Sequence, residues 1–354
     1  MLAAALLFAA AIVGTRSWRT YGDSPIGERF GWTPDPDAAR MFLDELGDER
    51  YFSQAAGEAM EKAAGVDTFL YRSMDKAHKA RYNAPFVVGR QGIGDCVSWG
   101  AMHAVYCSES LDWDLGKTSS PPFLPATEAI YGGSRVEARG KDGSGSSPVG
   151  GWSDGSTGSA AARWLRDWGV VYRKQYPSAD LTTYDKDRAK DWGAYGNGGR
   201  GDKGRLDAVA KKTPARHVVN VRSWDEVCAA LEAGFPVTIA SSVGFASGDR
   251  DADGFCAARS TWMHQMCLVG IRYAKNAPKD HPNPRDGALV MNSWGKYLGG
   301  GKWPADQPDG TFWAERRDIE RIIAQQDSWA IGSVQSGFAW RDLHHGDWLA
   351  PAPE

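Results

Sequence analysis

The order of apolar and polar positions splits this chain into a helical stretch followed by a strand-rich one. Asp35 or Asp37 can cap an amphipathic run at Ala38–Leu46, and Ser53 can cap an alanine-rich run that continues to Ala64. A third short helix is predicted within Phe69–Lys79. Residues 83–89, Asn-Ala-Pro-Phe-Val-Val-Gly, read as an extended entry strand, after which a glycine-rich turn empties into CVSWGAMHAVYCSES. Small and apolar residues surround most of that segment, which predicts a buried helix. Ser159–Trp168 has helical period with Gly169 as its stop, VVYRKQYP is extended, and 132–158 and 193–204 are loops by composition. Past about residue 205 the pattern changes. VVNV reads as a strand, Ser223 caps a helix from Trp224 to Ala233 that ends at Gly234, and PVTIASSV, MCLVGIRY and GALVMNSW read as further strands. Helices first and strands later predict an α+β chain rather than an alternating parallel sheet. No internal repeat is visible.

Composition narrows the class. With 354 residues, 42% of them hydrophobic and 24% charged, the chain has the apolar surface for a core and is not wholly disordered. Forty-one basic and forty-four acidic residues leave a net charge of -3, so no bulk basic field points to nucleic acid. Five cysteines without a CxxC pair exclude a dense disulfide scaffold and a zinc ribbon, and their odd number predicts at least one free thiol. The 42 glycines and 16 tryptophans predict long loops alongside bulky anchors. The opening run MLAAALLFAAAIV is shorter than the roughly 20 residues of a membrane span. It can be read as a signal or anchor, as an apolar helix buried in the mature protein, or as a misassigned start. The compartment is left open: exported or membrane-anchored in the first case, intracellular otherwise.

Candidate chemistry begins at Cys96. A thiol where a glycine-rich turn meets a helix faces unpaired N–H groups and the positive end of the helix dipole, which stabilise a thiolate. Gln91, five residues upstream, can aim its amide beside the Cys96 N–H to form an oxyanion hole. A thiol nucleophile also needs a base. Of seven histidines, only His264 begins an apolar strand able to hold an imidazole rigidly. Asn292, at the end of the next strand, can accept the second imidazole N–H and fix the tautomer, with Trp294 roofing that bond from water.

The series QGIGDCVSW, a histidine at the head of an apolar strand, then NSWG resembles the papain-like cysteine peptidase family. DGSTGSAAARWLRDWGVVYRKQYP and SWDEVCAALEAGFPVTIASSV are also similar to that family's intervening segments, so the resemblance spans residues 84–335. It implies a two-domain fold, with a helical half carrying Cys96, an antiparallel β-barrel-like half carrying His264 and Asn292, and an active site in the cleft between them. Residue by residue it implies Cys96 as nucleophile, His264 as general base and then acid, Asn292 as orienting group, and Gln91 with the Cys96 N–H as oxyanion hole, supported by Gly94 and Trp294. The resting state would be a thiolate–imidazolium pair. The expected activity is peptide-bond hydrolysis on a peptide or protein substrate, with no cofactor, metal or nucleic acid. A non-catalytic papain-fold protein, or an acyltransferase or deamidase with the same triad, are the alternatives.

The sequence also departs from the family pattern. Ile93 stands where a disulfide cysteine is usual, and Asp95 sets a carboxylate beside the sulfur, opposing the thiolate unless it is paired or points away. The Gln91-to-Cys96 spacing is one residue short. Met263 precedes the histidine where polar residues are frequent and reads as a pocket wall. The expected organisation is an apolar segment 1–14 (membrane attachment, if any, through residues 2–13), an extension 15–83, a helical half 84–205, a β-rich half 206–340 and a tail 341–354. The helical patterns at 35–64 can be an inhibitory pro-segment or a structural or attachment extension.

Other motifs carry less. GKT at 116–118 lacks a phosphate loop's upstream glycine, and GNGGRG at 196–201 does not join a strand to a helix. Cys256, His264 and Cys267 lack a fourth ligand at zinc spacing. A Cys256–Cys267 disulfide stays open, while Cys107 and Cys228 read as buried thiols.

Overall fold

The computed structural model describes residues 30–138, 154–201, 205–215, 217–333 and 336–343. The opening apolar run, the tail beyond Leu343 and most of the first glycine-rich loop lie outside these residues. Eleven α-helices occur among them. Six precede residue 139: α1 (Pro36–Leu46), α2 (Phe52–Ala55), α3 (Gly57–Lys62), α4 (Tyr71–Tyr82), α5 (Cys96–Asp114) and α6 (Thr127–Gly132). Then come α7 (Gly158–Asp167), α8 (Lys186–Tyr195), α9 (Arg205–Ala210), α10 (Trp224–Glu232) and α11 (Arg316–Ile323). Eight strands all follow residue 217: β1 (Val218–Asn220), β2 (Val237–Phe245), β3 (Asp249–Arg250), β4 (Ala258–Arg272), β5 (Gly287–Met291), β6 (Gly299–Gly300), β7 (Thr311–Glu315) and β8 (Ser328–Ile331).

Six strands form one antiparallel sheet in the order β1-β8-β2-β4-β5-β7, and β3 pairs with β6 separately. The architecture is α+β, with helices before the sheet, as the hydrophobic pattern predicts. α5 is buried on nearly every side because it lies between α4 and the sheet, which explains why it lacks an amphipathic stripe. Its first turn abuts β4, where Gly100 meets Met266 and Gln265 so closely that a Cβ would sit about 3 Å from them. The long β2–β4 ladder sets His264 opposite Ser241 and carries it to the start of α5.

Caps placed several boundaries correctly. Asp35 accepts the Ala38 N–H and Ser223 that of Glu226, as expected, while Thr157, not expected as a cap, accepts that of Ala160. Four expectations need correction. Ser53 caps nothing: the run breaks at Ala56 into α2 and α3, and the Ser53 N–H is taken by the distant Glu226 carboxylate at 3.2 Å. Residues 83–89 form no strand, since Asn83 ends α4 in the left-handed conformation and the segment pairs only through the Arg90–Trp294 bridge. Residues 133–137 continue α6 as a π-helical turn rather than a loop. The second glycine-rich stretch overlaps α8, which Asp185 caps by accepting the Asp187 and Arg188 N–H groups.

Candidate active site

Cys96 is the first residue of α5, His264 lies within β4, and Asn292 directly follows β5. Asn292 Oδ1 accepts the Ser293 backbone N–H at 2.7 Å and lies 2.7 Å from His264 Nε2. A backbone N–H only donates, so the shared atom is oxygen and Nε2 must carry the ring proton. Nδ1 is then the basic nitrogen. It is buried and finds no hydrogen-bond partner among the described residues. The Gln265 N–H, next in the chain, reaches the Cys96 sulfur at 3.4 Å, so the strand at His264 passes beside the thiol. The Asn292 amide is held from its other side, donating to the Tyr297 hydroxyl at 2.9 Å.

An aromatic box encloses the imidazole. Trp294 lies 4.9 Å from it, centroid to centroid, at a shallow 35° tilt, and so roofs the His264–Asn292 bond. Trp262, two positions before His264 on the same face of β4, meets the ring edge-on and packs against Trp294 at 4.6 Å. Phe30 closes the remaining side, edge-on at 6.1 Å.

Gln91 is anchored to the same loop. Its backbone N–H donates to Ser293 O at 2.8 Å, and its side-chain oxygen accepts from the Ser293 hydroxyl at 2.5 Å. Its Nε2 donates to Ile93 O at 2.9 Å. Asp95 is wholly buried, with the Tyr184 hydroxyl donating to it at 3.0 Å. Burial raises its carboxyl well above the ordinary range, with Glu128 and Asp154 adding to the shift and the Tyr184 hydrogen bond opposing it. His103 is also buried, but burial drives its pKa to about 3 and neither nitrogen has a hydrogen-bond partner among the described residues, which leaves it neutral. All five cysteines are free thiols, so Cys256 and Cys267 are not joined, and no group of three potential metal ligands occurs among the described residues.

The expected thiolate–imidazolium pair is not the state this structure favours. Burial pushes the Cys96 thiol up to about 12, with the charge of Asp95 adding to the rise, against the lowering effect of the Gln265, Val97 and Trp32 N–H groups. Burial likewise pulls His264 down to about 4. Both groups are neutral near pH 7.

A segment for which the hydrophobic pattern gave no signal, Phe30–Thr33, lies against the site, where Cys96 is 0% and His264 1% exposed. The Gly31 and Trp32 N–H groups both donate to Met263 O at 3.0 Å, Ser156 N–H donates to Gly31 O at 2.8 Å, and Thr33 N–H donates to Ser156 O at 2.9 Å. Glycine is required where this strap passes the turn before Cys96, because a Cβ on Gly31 would lie 1.9 Å from Gly94 O. Met263, expected as a pocket wall, is half-buried and gives its backbone carbonyl to the strap. The helices at 35–64 lie away from the site, with α1 packed on α7 and Phe42 against Trp329, so the covering segment is shorter and earlier than the helical patterns suggested.

No protein-family model and no curated protein matches the sequence. Among solved structures the chain is similar to xylellain, a cysteine protease from Xylella fastidiosa, with a TM-score of 0.55 and 17% identity over 89% of this chain and 99% of that one. It is also matched to digestive procathepsin L 3 of the Tenebrio molitor larval midgut, with a TM-score of 0.46 and 17% identity over 83% of this chain and 79% of that one. The first likeness, joined to the helix-then-sheet architecture, shows that the chain has the papain-like α+β fold.

Proposed function

We propose that the protein is a papain-like cysteine-type endopeptidase. The observation that carries this reading is the fixed tautomer of His264: Asn292 holds the Nε2 proton and leaves Nδ1 as a lone-pair base in the box that adjoins the Cys96 thiol. Once a peptide replaces Phe30–Thr33, Nδ1 takes the Sγ proton and sulfur adds to the scissile carbonyl. The Cys96 N–H and the remaining Gln91 Nε2 hydrogen receive the oxyanion. The imidazolium then protonates the leaving amine. Water, deprotonated by the same Nδ1, releases the acyl group from sulfur and regenerates the thiol.

Labelling with a thiol-directed epoxide tests this reading. Attachment at Cys96, abolished in Cys96→Ala and slowed in His264→Ala, supports it, whereas equal labelling of the other four thiols counts against it. Product masses with and without an amine acceptor separate hydrolysis from acyl transfer or deamidation.

A further inference from the structure

The β2–β4 ladder loses its regular register at the end farther from the thiol. Val243 lies opposite Thr261 and Phe245 opposite Ala258, so Gly244 faces two residues of β4, Arg259 and Ser260. Ser260 takes up the extra residue in the left-handed conformation, at φ 61°, which non-glycine residues seldom adopt. On a regular strand adjacent residues face opposite sides of the sheet, but at this bulge Arg259 and Ser260 line one cavity. The cavity measures about 520 Å³, within the range of about 300–1,000 Å³ usual for small-molecule sites. Its floor is apolar, made by the buried Phe245, Phe255 and Cys256. Burial pushes the Cys256 thiol up to about 12, so the floor carries no charge. Phe245 packs on Trp262 at 5.9 Å and stands between this cavity and the box around His264.

Two arginines and three carboxylates line the cavity: Arg259, Arg285, Asp249, Asp251 and Glu315. Arg285 lies over the Phe255 ring at 3.9 Å and is committed to its neighbours. It donates to Asp251 Oδ2 at 2.7 Å and to Asp253 Oδ2 at 3.0 Å, and sits 3.5 Å from Glu315 Oε1. Asp249 and Arg259 are left over. Both are exposed, and neither side chain makes a hydrogen bond or ion pair with any described residue, each other included. One cavity thus offers an uncommitted carboxylate, an uncommitted guanidinium and an apolar floor. We infer that it is a binding site for a small zwitterion with a bulky apolar side chain, a free α-amino acid or a dipeptide. The ligand's ammonium meets Asp249, its carboxylate meets the Arg259 guanidinium, whose planar fork suits two oxygens, and its side chain covers Phe245 and Phe255. A ligand of one sign gains only one of these groups and meets the other as a like charge. The site uses neither Cys96 nor His264, so it does not depend on the peptidase reading.

The test is calorimetric titration of the full chain carrying Cys96→Ala, so that no dipeptide is consumed. L-phenylalanine and phenylalanylglycine are the zwitterionic probes, and the tighter of the two identifies the source. Phenethylamine lacks the carboxylate and phenylpropionate lacks the ammonium. The better zwitterion is expected to bind at least about fivefold more tightly than either single-charge analogue. Arg259→Ala should weaken the zwitterion and phenylpropionate by at least about that factor and spare phenethylamine. Asp249→Asn should weaken the zwitterion and phenethylamine and spare phenylpropionate. Neither side chain has an internal partner, so both variants should unfold at the parent's denaturant midpoint. Absence of saturable binding of both zwitterions overturns the inference, as does an affinity that either substitution leaves unchanged or that a single-charge analogue equals. Failure of the Cys96 form to hydrolyse peptides would sink the peptidase reading and leave these titrations untouched.

Discussion

Acidification should loosen the strap, and His264 sets how far. With Phe30–Thr33 in place the imidazole is enclosed by Phe30, Trp262, Trp294 and the Asn292 amide, has no charged neighbour, and is held by burial at about 4. With the strap withdrawn, water returns and the ring approaches its ordinary 6.5. The closed form thus carries a base of lowered pKa, so its advantage is complete above pH 6.5 and is lost as pH falls from 6.5 toward 4. Between pH 8 and pH 5 the opening equilibrium should shift toward the open form by about 30-fold, or about 2 kcal/mol. Hydrogen exchange reads this directly, because the Gly31 and Trp32 amides both donate to Met263 O only while the strap is docked. Their protection, corrected for the intrinsic pH dependence of exchange, should fall by that factor. Asp327, which accepts the Trp32 indole N–H at 2.7 Å, works in the opposite sense, since burial raises its carboxyl and the closed form takes up a proton there more readily. His264→Gln separates the two and should abolish the acid-driven loss of protection. Protection that stays constant or rises between pH 8 and pH 5 in the unaltered chain would refute the reasoning.

Other perturbations report on separate contacts. Gly31→Ala places a Cβ against Gly94 O and should expel the strap, raising the alkylation rate of Cys96 at least about tenfold, as followed by peptide mass mapping. Asn292→Ala strips His264 Nε2 of its acceptor in a buried setting. It should cost about 1–3 kcal/mol in denaturant unfolding and lower kcat at least about tenfold in a strap-displaced background. Asp95→Asn removes the neighbouring carboxylate whose charge raises the Cys96 thiol, so the pH profile of Cys96 alkylation should move to lower pH; an unmoved profile would mean that Asp95 carries no charge there. Alkaline pH should also open the strap, because the Cys96 thiol, raised to about 12 when covered, ionises more easily once solvated; exchange protection should decline above pH 8.5.

The residues at the site were readable because each leaves a local trace. A glycine-rich turn running into a helix marks Cys96, an imidazole at the head of an apolar strand marks His264, and the next strand's end marks Asn292. Trp262 was within reach of the same argument, since it shares a strand face with His264. The strap was not readable. It acts through backbone N–H groups and through a Cβ that Gly31 lacks, neither of which makes a side-chain pattern, and Trp32 finds its partner 295 residues away. Ser53 misled for a related reason: α2 starts at Phe52, ahead of it, and the first-turn N–H of Ser53 is taken by the Glu226 carboxylate, 173 residues distant. The protonation state of Cys96 and His264 was also beyond the motif, because it depends on how completely the covering segment excludes water.

Cys96, with His264 as its base, is proposed to hydrolyse peptide bonds once Phe30–Thr33 is displaced. The most direct measurement is cleavage of an unfolded protein substrate by Gly31→Ala and by Gly31→Ala/Cys96→Ala, with products sized by mass. Hydrolysis by the first and none by the second is expected. Cleavage retained without the Cys96 sulfur, or none by a Gly31→Ala protein whose Cys96 is shown to be accessible to alkylation, would contradict it.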